Sequence, residues 1–177
     1  MLNGIAWYAY AIKQGWGGRF PDGLPLQLCD LTLWMTVGSL LSLSPFVAEL
    51  SYYWVLSGST LALLTPDLGG GLTLTRFWTF FALHGGSVAG ILFLLWSGLF
   101  RPRPGSAGRA LIVLNAYAGA IAVFNGVFGT NYLYLCRKPV NPSLFDFLGP
   151  WPWYLFFCEL LAGVLFGLLY LPVRQRR

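Results

Sequence analysis

The chain has 177 residues, of which 56% are hydrophobic, 18% are aromatic and only 10% are charged. A soluble domain usually carries about 25% charged residues, so six acids and eleven bases are too few to cover the surface of a water-soluble protein of this size. Intrinsic disorder is excluded too, because it requires low hydrophobicity and high charge. The long apolar runs also differ from the alternating pattern of barrel strands. The composition therefore predicts an all-α, polytopic transmembrane helical bundle forming a single integral membrane domain over residues 1–177.

Six apolar elements follow one another along the chain. The first, residues 2–12, is shorter than the about 20 apolar residues that a transmembrane helix needs, and we expect a short amino-terminal helix there. The other five are long enough to be full spans, and they cover residues 24–43, 45–64, 75–100, 107–128 and 150–171. Ser44 and Pro45 predict a tight hairpin between two of them. In the longest loop, Ser143 and Asp146 form a capping-box pattern that predicts a short helix.

The basic residues lie scattered between the apolar elements, which is typical of loops that flank membrane helices and not of a nucleic-acid interface. We therefore expect no nucleic-acid partner. One side of the bundle is predicted to carry Arg101, Arg103, Arg109, Arg174, Arg176 and Arg177, and the other Lys13, Arg19, Arg76, Arg137 and Lys138. The excess of six over five favours a cytoplasmic carboxyl terminus and a multi-pass protein of the cell membrane.

Seven polar residues are candidates for a functional site, because polar groups are costly inside a bilayer. Alternating spans bring all of them to one half of the membrane, which we take as the outer half. The set is Cys29, His84, Asn125, Asn131, Arg137, Lys138 and Glu159.

A thiol and an imidazole on facing helices can perform nucleophilic catalysis. The imidazole of His84 titrates near neutrality and can take the proton of the Cys29 thiol. The resulting thiolate can attack an acyl carbonyl. Arg137 and Lys138 can hold a phosphate, the first through a fork of donors and the second as a point charge. Asn131, Asn125 and Glu159 complete the predicted substrate-binding set.

Each of these residues also has an interpretation without catalysis. A buried Cys or His is often a packing residue, and a Lys-Arg pair is often a headgroup anchor. Asn125 and Glu159 can join helices by hydrogen bonds. A disulfide between Cys29 and Cys136 is a structural alternative. Gln27 and Asp30 share a helix face and either pair with each other or line the site.

Several segments of the chain resemble one known family. They are Leu24–Asp30, Leu64–Asp67, Arg76-Phe77-Trp78, His84-Gly85, Asn131–Tyr134, Lys138-Pro139 and, as the most specific, Pro142–Tyr154. Together they look like the YwaF-like family of bacterial integral membrane proteins, which is related to the animal transmembrane protein 164. The resemblance extends over about residues 20–172. Family members usually have a full first span, from which the short element at residues 2–12 departs. We therefore expect this chain to be the remnant of a larger bundle, with a protein that works with fewer helices as the alternative.

The resemblance implies a Cys/His-dependent acyltransferase that acts on membrane phospholipids in a prokaryotic cell membrane, with a lipid as acyl donor. It makes Cys29 similar to the nucleophile and His84 similar to its partner. No cofactor is implied, and no metal, since one His and scattered acids make no plausible ligand set. Two other functions stay open: a non-enzymatic carrier of a small solute, which needs no thiolate, and a scaffold that binds another membrane protein through small residues at positions 116–122.

Overall fold

The structure, a computed structural model, describes residues 20–66, 74–140 and 143–174. Within these ranges the chain is helical and has no strand. The helices are α1 (Leu28–Ser42), α2 (Pro45–Trp54), a π-helical segment (Val55–Ser59), α3 (Thr60–Leu64), α4 (Leu74–Trp96), α5 (Ser106–Phe128) and α6 (Trp153–Arg174). Between α5 and α6 lie two short 3₁₀ turns, Tyr132–Tyr134 and Leu144–Leu148. The predicted all-α class is confirmed, and the element expected at residues 2–12 lies outside the described residues.

Within the described ranges, three helical segments are long and apolar enough to cross a membrane: Phe77–Trp96, Ser106–Phe128 and Trp153–Pro172. The other two predicted spans are less regular. Helix α1 has only 15 residues, a length of about 22 Å against a hydrocarbon core of about 30 Å. The stretch from Pro45 to Leu64 is helical throughout but is interrupted by the π-helical segment. The count of five full spans therefore stays a prediction.

Local signals set several helix ends where the sequence predicts them. Leu43 adopts a left-handed conformation that ends α1, and Pro45 at the first position begins α2, which confirms the predicted hairpin. Gly105 and Gly129, both with positive φ, flank α5. The carboxylate of Asp146 accepts a hydrogen bond from the Ser143 N–H at 2.8 Å, so the capping box is present and the short helix that it predicts is a 3₁₀ turn.

Helix α1 begins at Leu28, four residues later than predicted, and the reason lies outside the helix. The Leu24 N–H donates to the hydroxyl of Tyr132 at 2.9 Å, and the carbonyl of Leu26 accepts from the hydroxyl of Tyr117 at 2.8 Å. These bonds hold the preceding residues, which form turns and bends, against α5 and the loop that follows it. Distant partners have replaced the first helical turn.

The centre of the bundle is α2 with the π-helical segment, which contact α1, α4, α5 and α6. Three consecutive aromatic residues of α2 are buried and each bonds a different neighbour. Tyr52 donates to the carbonyl of Leu169 at 2.9 Å, the hydroxyl of Tyr53 lies 2.8 Å from that of Ser106, and Trp54 donates to the carbonyl of Ala110 at 3.1 Å. Aromatic rings fill the core here while their polar tips join the helices.

The outer surface of the long helices is apolar. Ile112, Val123 and Val127 on α5 are each about 70% exposed, and Phe156, Leu160 and Leu168 on α6 are each more than half exposed. A soluble protein rarely exposes apolar surface of this extent. In a bilayer this exposure carries no free-energy penalty, because the lipid tails are as apolar as the side chains. The protein is therefore an integral membrane protein.

Candidate functional site

Two contacts fix how α1 and α4 pack. At Gly90 of α4, an added Cβ would lie 3.1 Å from the side chain of Thr36 and 3.2 Å from that of Leu40 of α1, so a larger residue would require these side chains to shift. Nearer the start of both helices, the carboxylate of Asp30 acts electrostatically on the His84 ring. The approach of Gly90 to Thr36 lies six residues after the interaction of His84 with Asp30 in both helices. Helices α1 and α4 therefore run in the same direction, with residues 29–30 near the level of His84.

Cys29 lies on the side of α1 that faces α4. It precedes Thr36 by seven residues and Leu40 by eleven, which is two and three helical turns, so all three share a face. Cys29 is exposed as a whole residue. As the second residue of α1 it sits at the positive end of the helix dipole. Tyr117 of α5 lies within electrostatic range of this thiol.

His84 has one ring nitrogen committed and one left for chemistry. Its Nδ1 lies 3.0 Å from the carbonyl oxygen of Phe80. A carbonyl only accepts, so the neutral imidazole carries its hydrogen on Nδ1 and keeps the lone pair on Nε2. The rings of His84 and Phe80 also stack, with centroids 4.2 Å apart. These two contacts fix the tautomer and the orientation of the base.

Residues 20–27, which we call the strap, join the start of α1 to α5 and its following loop. Tyr132 accepts from the Leu24 N–H and donates to the Pro21 carbonyl at 2.8 Å. The side-chain oxygen of Gln27 accepts from the Leu133 N–H at 3.0 Å. This bond is neither of the two roles predicted for Gln27, a pair with Asp30 or a place in the lining of the site, and both of these stay predictions. The strap holds the turn that presents Cys29.

Asn125 and Asn131 bond to their own loop. Asn125 is 1% exposed, and its amide bonds the hydroxyl of Thr130 and both backbone groups of Tyr132. The side-chain oxygen of Asn131 accepts from the N–H groups of Cys136 and Arg137, and its nitrogen donates to the Arg137 carbonyl. Both side chains shape the turn that follows α5, and their substrate contacts stay predictions.

The predicted phosphate ligands differ in their surroundings. Arg137 is exposed. Lys138 is partly buried, with its ammonium group 5.7 Å from the centre of the Tyr154 ring, an arrangement that stabilises the cation. Tyr154 itself is fully buried and donates to the carbonyl of Tyr134. The loop therefore carries two cations, one of them held in place.

Glu159 lies elsewhere in the bundle. Its carboxylate accepts from the side chain of Asn115 at 2.7 Å. Asn115 precedes Tyr117 by two residues on α5, so the two side chains point to nearly opposite faces of that helix. Electrostatic interactions thus link Asp30 to His84 and Tyr117 to both Cys29 and Asp30, whereas Glu159 lies on another flank; the pairing of Cys29 with His84 stays a prediction. The thiols of Cys29 and Cys136 are both free, so the alternative of a disulfide between them is wrong.

Sequence reasoning missed a buried ion-pair cluster at the other end of the bundle. Glu49 of α2 is 1% exposed and pairs with Arg103 at 2.8 Å and Arg109 at 3.0 Å. Arg103 also donates its backbone N–H to the same carboxylate at 2.9 Å. A signal was present, since an acid within an apolar run requires a cation or a donor set. The two arginines were assigned only to the loop charge that sets orientation.

Within the described part of the chain, no three His, Cys, Asp or Glu side chains are grouped so that they could hold a metal ion. Comparison with known protein families matches residues 1–170 to the TMEM164 family. Neither the curated proteins nor the solved structures gave a match. The match extends over nearly the whole chain and agrees with the resemblance found in its sequence motifs. The chain belongs to the TMEM164 family.

Proposed function

We propose that the protein is a Cys/His-dependent acyltransferase acting on membrane phospholipids, in the cell membrane of a prokaryote. The observation that carries the proposal is the packing of α1 against α4, which turns Cys29 toward the helix that bears His84, near the level of that residue. The apolar outer surface supports lipid as the substrate class, because acyl chains reach such a site directly from the bilayer. The resemblance to bacterial membrane proteins supports the location.

The chemistry balances without a redox partner. The Nε2 of His84 takes the proton of the Cys29 thiol as the sulfur attacks the ester carbonyl of a donor phospholipid. The ester bond breaks, the leaving alkoxide takes the proton from His84, and a thioester remains on Cys29. The hydroxyl of an acceptor lipid then gives its proton to His84 and attacks the thioester. The new ester forms and the sulfur leaves as a thiol, after His84 returns the proton.

Asp30 has two opposite effects on this cycle. Its negative charge stabilises the imidazolium that forms on His84 during each attack. The same charge, one residue from Cys29, disfavours a resting thiolate. We therefore propose that the thiol stays neutral between turnovers and loses its proton only as the carbonyl is attacked. In the Cys29–His84–Asp30 set, the carboxylate supports the base through space.

The phosphates of donor and acceptor lipids are proposed to contact the cationic loop after α5. Arg137 offers exposed guanidinium donors, and Lys138 offers an ammonium group positioned by Tyr154. Asn131 supports Arg137 by bonding its backbone. Asn125 and Glu159 already bond protein groups, and no step is assigned to them.

The test is acyl exchange between defined phospholipids, one of them carrying a labelled acyl chain, in proteoliposomes. Cys29→Ser is expected to abolish exchange, and His84→Ala to lower its rate by about 10²- to 10⁴-fold, the usual contribution of a general base. Cys158→Ser, which removes a thiol from α6, is the matched control and is expected to keep the wild-type rate. Exchange that survives both Cys29→Ser and His84→Ala would refute the assignments.

A further inference from the structure

Gln27 is the residue before α1, and its side chain makes no capping bond to the helix but accepts from the Leu133 N–H. Bonds from other elements therefore contribute to the position of the helical turn that bears Cys29. Two such bonds lie close to Cys29 along the chain. The Leu133 N–H donates to the side chain of Gln27, two residues before Cys29, and the Tyr117 hydroxyl donates to the backbone carbonyl of Leu26, three residues before it. Of these two bonds, the one from Tyr117 is made to the backbone that leads into α1.

Tyr117 is suited to set that position. It lies on α5, a regular helix of 23 residues, and its acceptor, the carbonyl of Leu26, is 91 positions away in the sequence. Its hydroxyl lies within electrostatic range of both Cys29 and Asp30. Phenylalanine at this position would keep the ring and remove only the bond.

We propose that Tyr117 is a positioning residue for Cys29: its hydrogen bond to the Leu26 carbonyl holds the first turn of α1 so that the thiol meets His84. The inference rests on the proposed Cys29–His84 pair. Tyr117 exchanges no proton with the substrate. It acts through the backbone and changes how well the pair is aligned.

The test is a double-mutant cycle on the reactivity of Cys29. The rate of alkylation by N-ethylmaleimide at neutral pH is followed at Cys29 by peptide mass spectrometry, in wild type, Tyr117→Phe, His84→Ala and the double variant. Two residues that act through one geometry are not additive. His84→Ala is therefore expected to slow alkylation in wild type and to slow it less in Tyr117→Phe, by a factor of at least about three.

Tyr52→Phe is the matched control, because it also removes a tyrosine bond to a backbone carbonyl, that of Leu169, in the core of the bundle. Combined with His84→Ala it is expected to be additive. If His84→Ala slows alkylation equally in wild type and Tyr117→Phe, the role of Tyr117 is overturned while the Cys29–His84 pair stands. If His84→Ala has no effect in wild type, the proposed pair is refuted and the role of Tyr117 with it.

Discussion

Removing the charge of Glu49 tests how the bundle is held together at the end opposite Cys29. In Glu49→Gln the retained oxygen can still accept from the backbone N–H and Nε of Arg103. The other oxygen, which accepts from Arg103 and Arg109 at 3.0 Å each, is replaced by an amide that only donates. Two guanidinium groups then face a neutral side chain in a buried position.

The loss of stability in Glu49→Gln depends on the burial of Glu49 and on the exposure of the two arginines. Removing one partner of a fully buried ion pair typically costs about 3–5 kcal/mol. Here Glu49 is 1% exposed, whereas the side chains of Arg103 and Arg109 are 51% and 39% exposed, and water screens part of the loss. We expect about 2 kcal/mol, which lowers the melting temperature by roughly 4–8 °C for a protein of this size.

The assay is thermal unfolding in detergent micelles, with Glu159→Gln as the matched control. Glu159 is exposed and bonds only to Asn115 among the described side chains, so its substitution is expected to shift the melting temperature by less than about 2 °C. Arg103→Gln is expected to lower the free energy of unfolding less in the Glu49→Gln protein than in wild type, because in the Glu49→Gln protein it removes an uncompensated cation. Equal shifts for Glu49→Gln and Glu159→Gln would refute the reasoning.

Two further substitutions test the packing of α4 and the turn after α5. Gly90→Ala is expected to destabilise the protein by about 1–3 kcal/mol, because its Cβ meets Thr36 and Leu40. The control is Gly86→Ala, whose Cβ meets no neighbouring atom and which is expected to be neutral or stabilising. Equal melting temperatures for the two variants would contradict this packing. Asn125→Leu is expected to cost about 2–3 kcal/mol, because both backbone groups of Tyr132 lose their partner, and to speed proteolysis after α5; cleavage there at the wild-type rate would contradict that role.

The sequence predicts the helices and their ends well where the signals are local. Pro45 and the glycines flanking α5 act on the residues beside them, so the bounds of these helices follow from composition and turn chemistry. The late start of α1 does not follow, because it depends on the hydroxyls of Tyr117 and Tyr132, which lie far along the chain. No periodicity in residues 20–30 indicates that those bonds form.

The candidate site, too, follows from the sequence only in part. Alternation of spans predicts that Cys29 and His84 share one half of the membrane, because this needs only the order of helices. It does not predict which faces meet, and Glu159 therefore joins the predicted set although it bonds Asn115 on another flank. The pairing of Glu49 with Arg103 follows neither from the loop charges alone nor from the apolar runs alone, because the ion pair joins an acid within an apolar run to a base in a loop.

The two ends of the bundle hold their polar groups in different ways, and this separates stability from reactivity. Glu49 is neutralised by two arginines and joins α2 to the residues around the start of α5. The position of Cys29 is instead proposed to depend on the approach of α1 to Gly90 and on the bond from Tyr117, neither of which involves Glu49. Glu49→Gln should therefore unfold at lower temperature yet keep the wild-type alkylation rate of Cys29 below its transition. If that rate falls in the folded protein, the two ends are coupled and the separation is wrong.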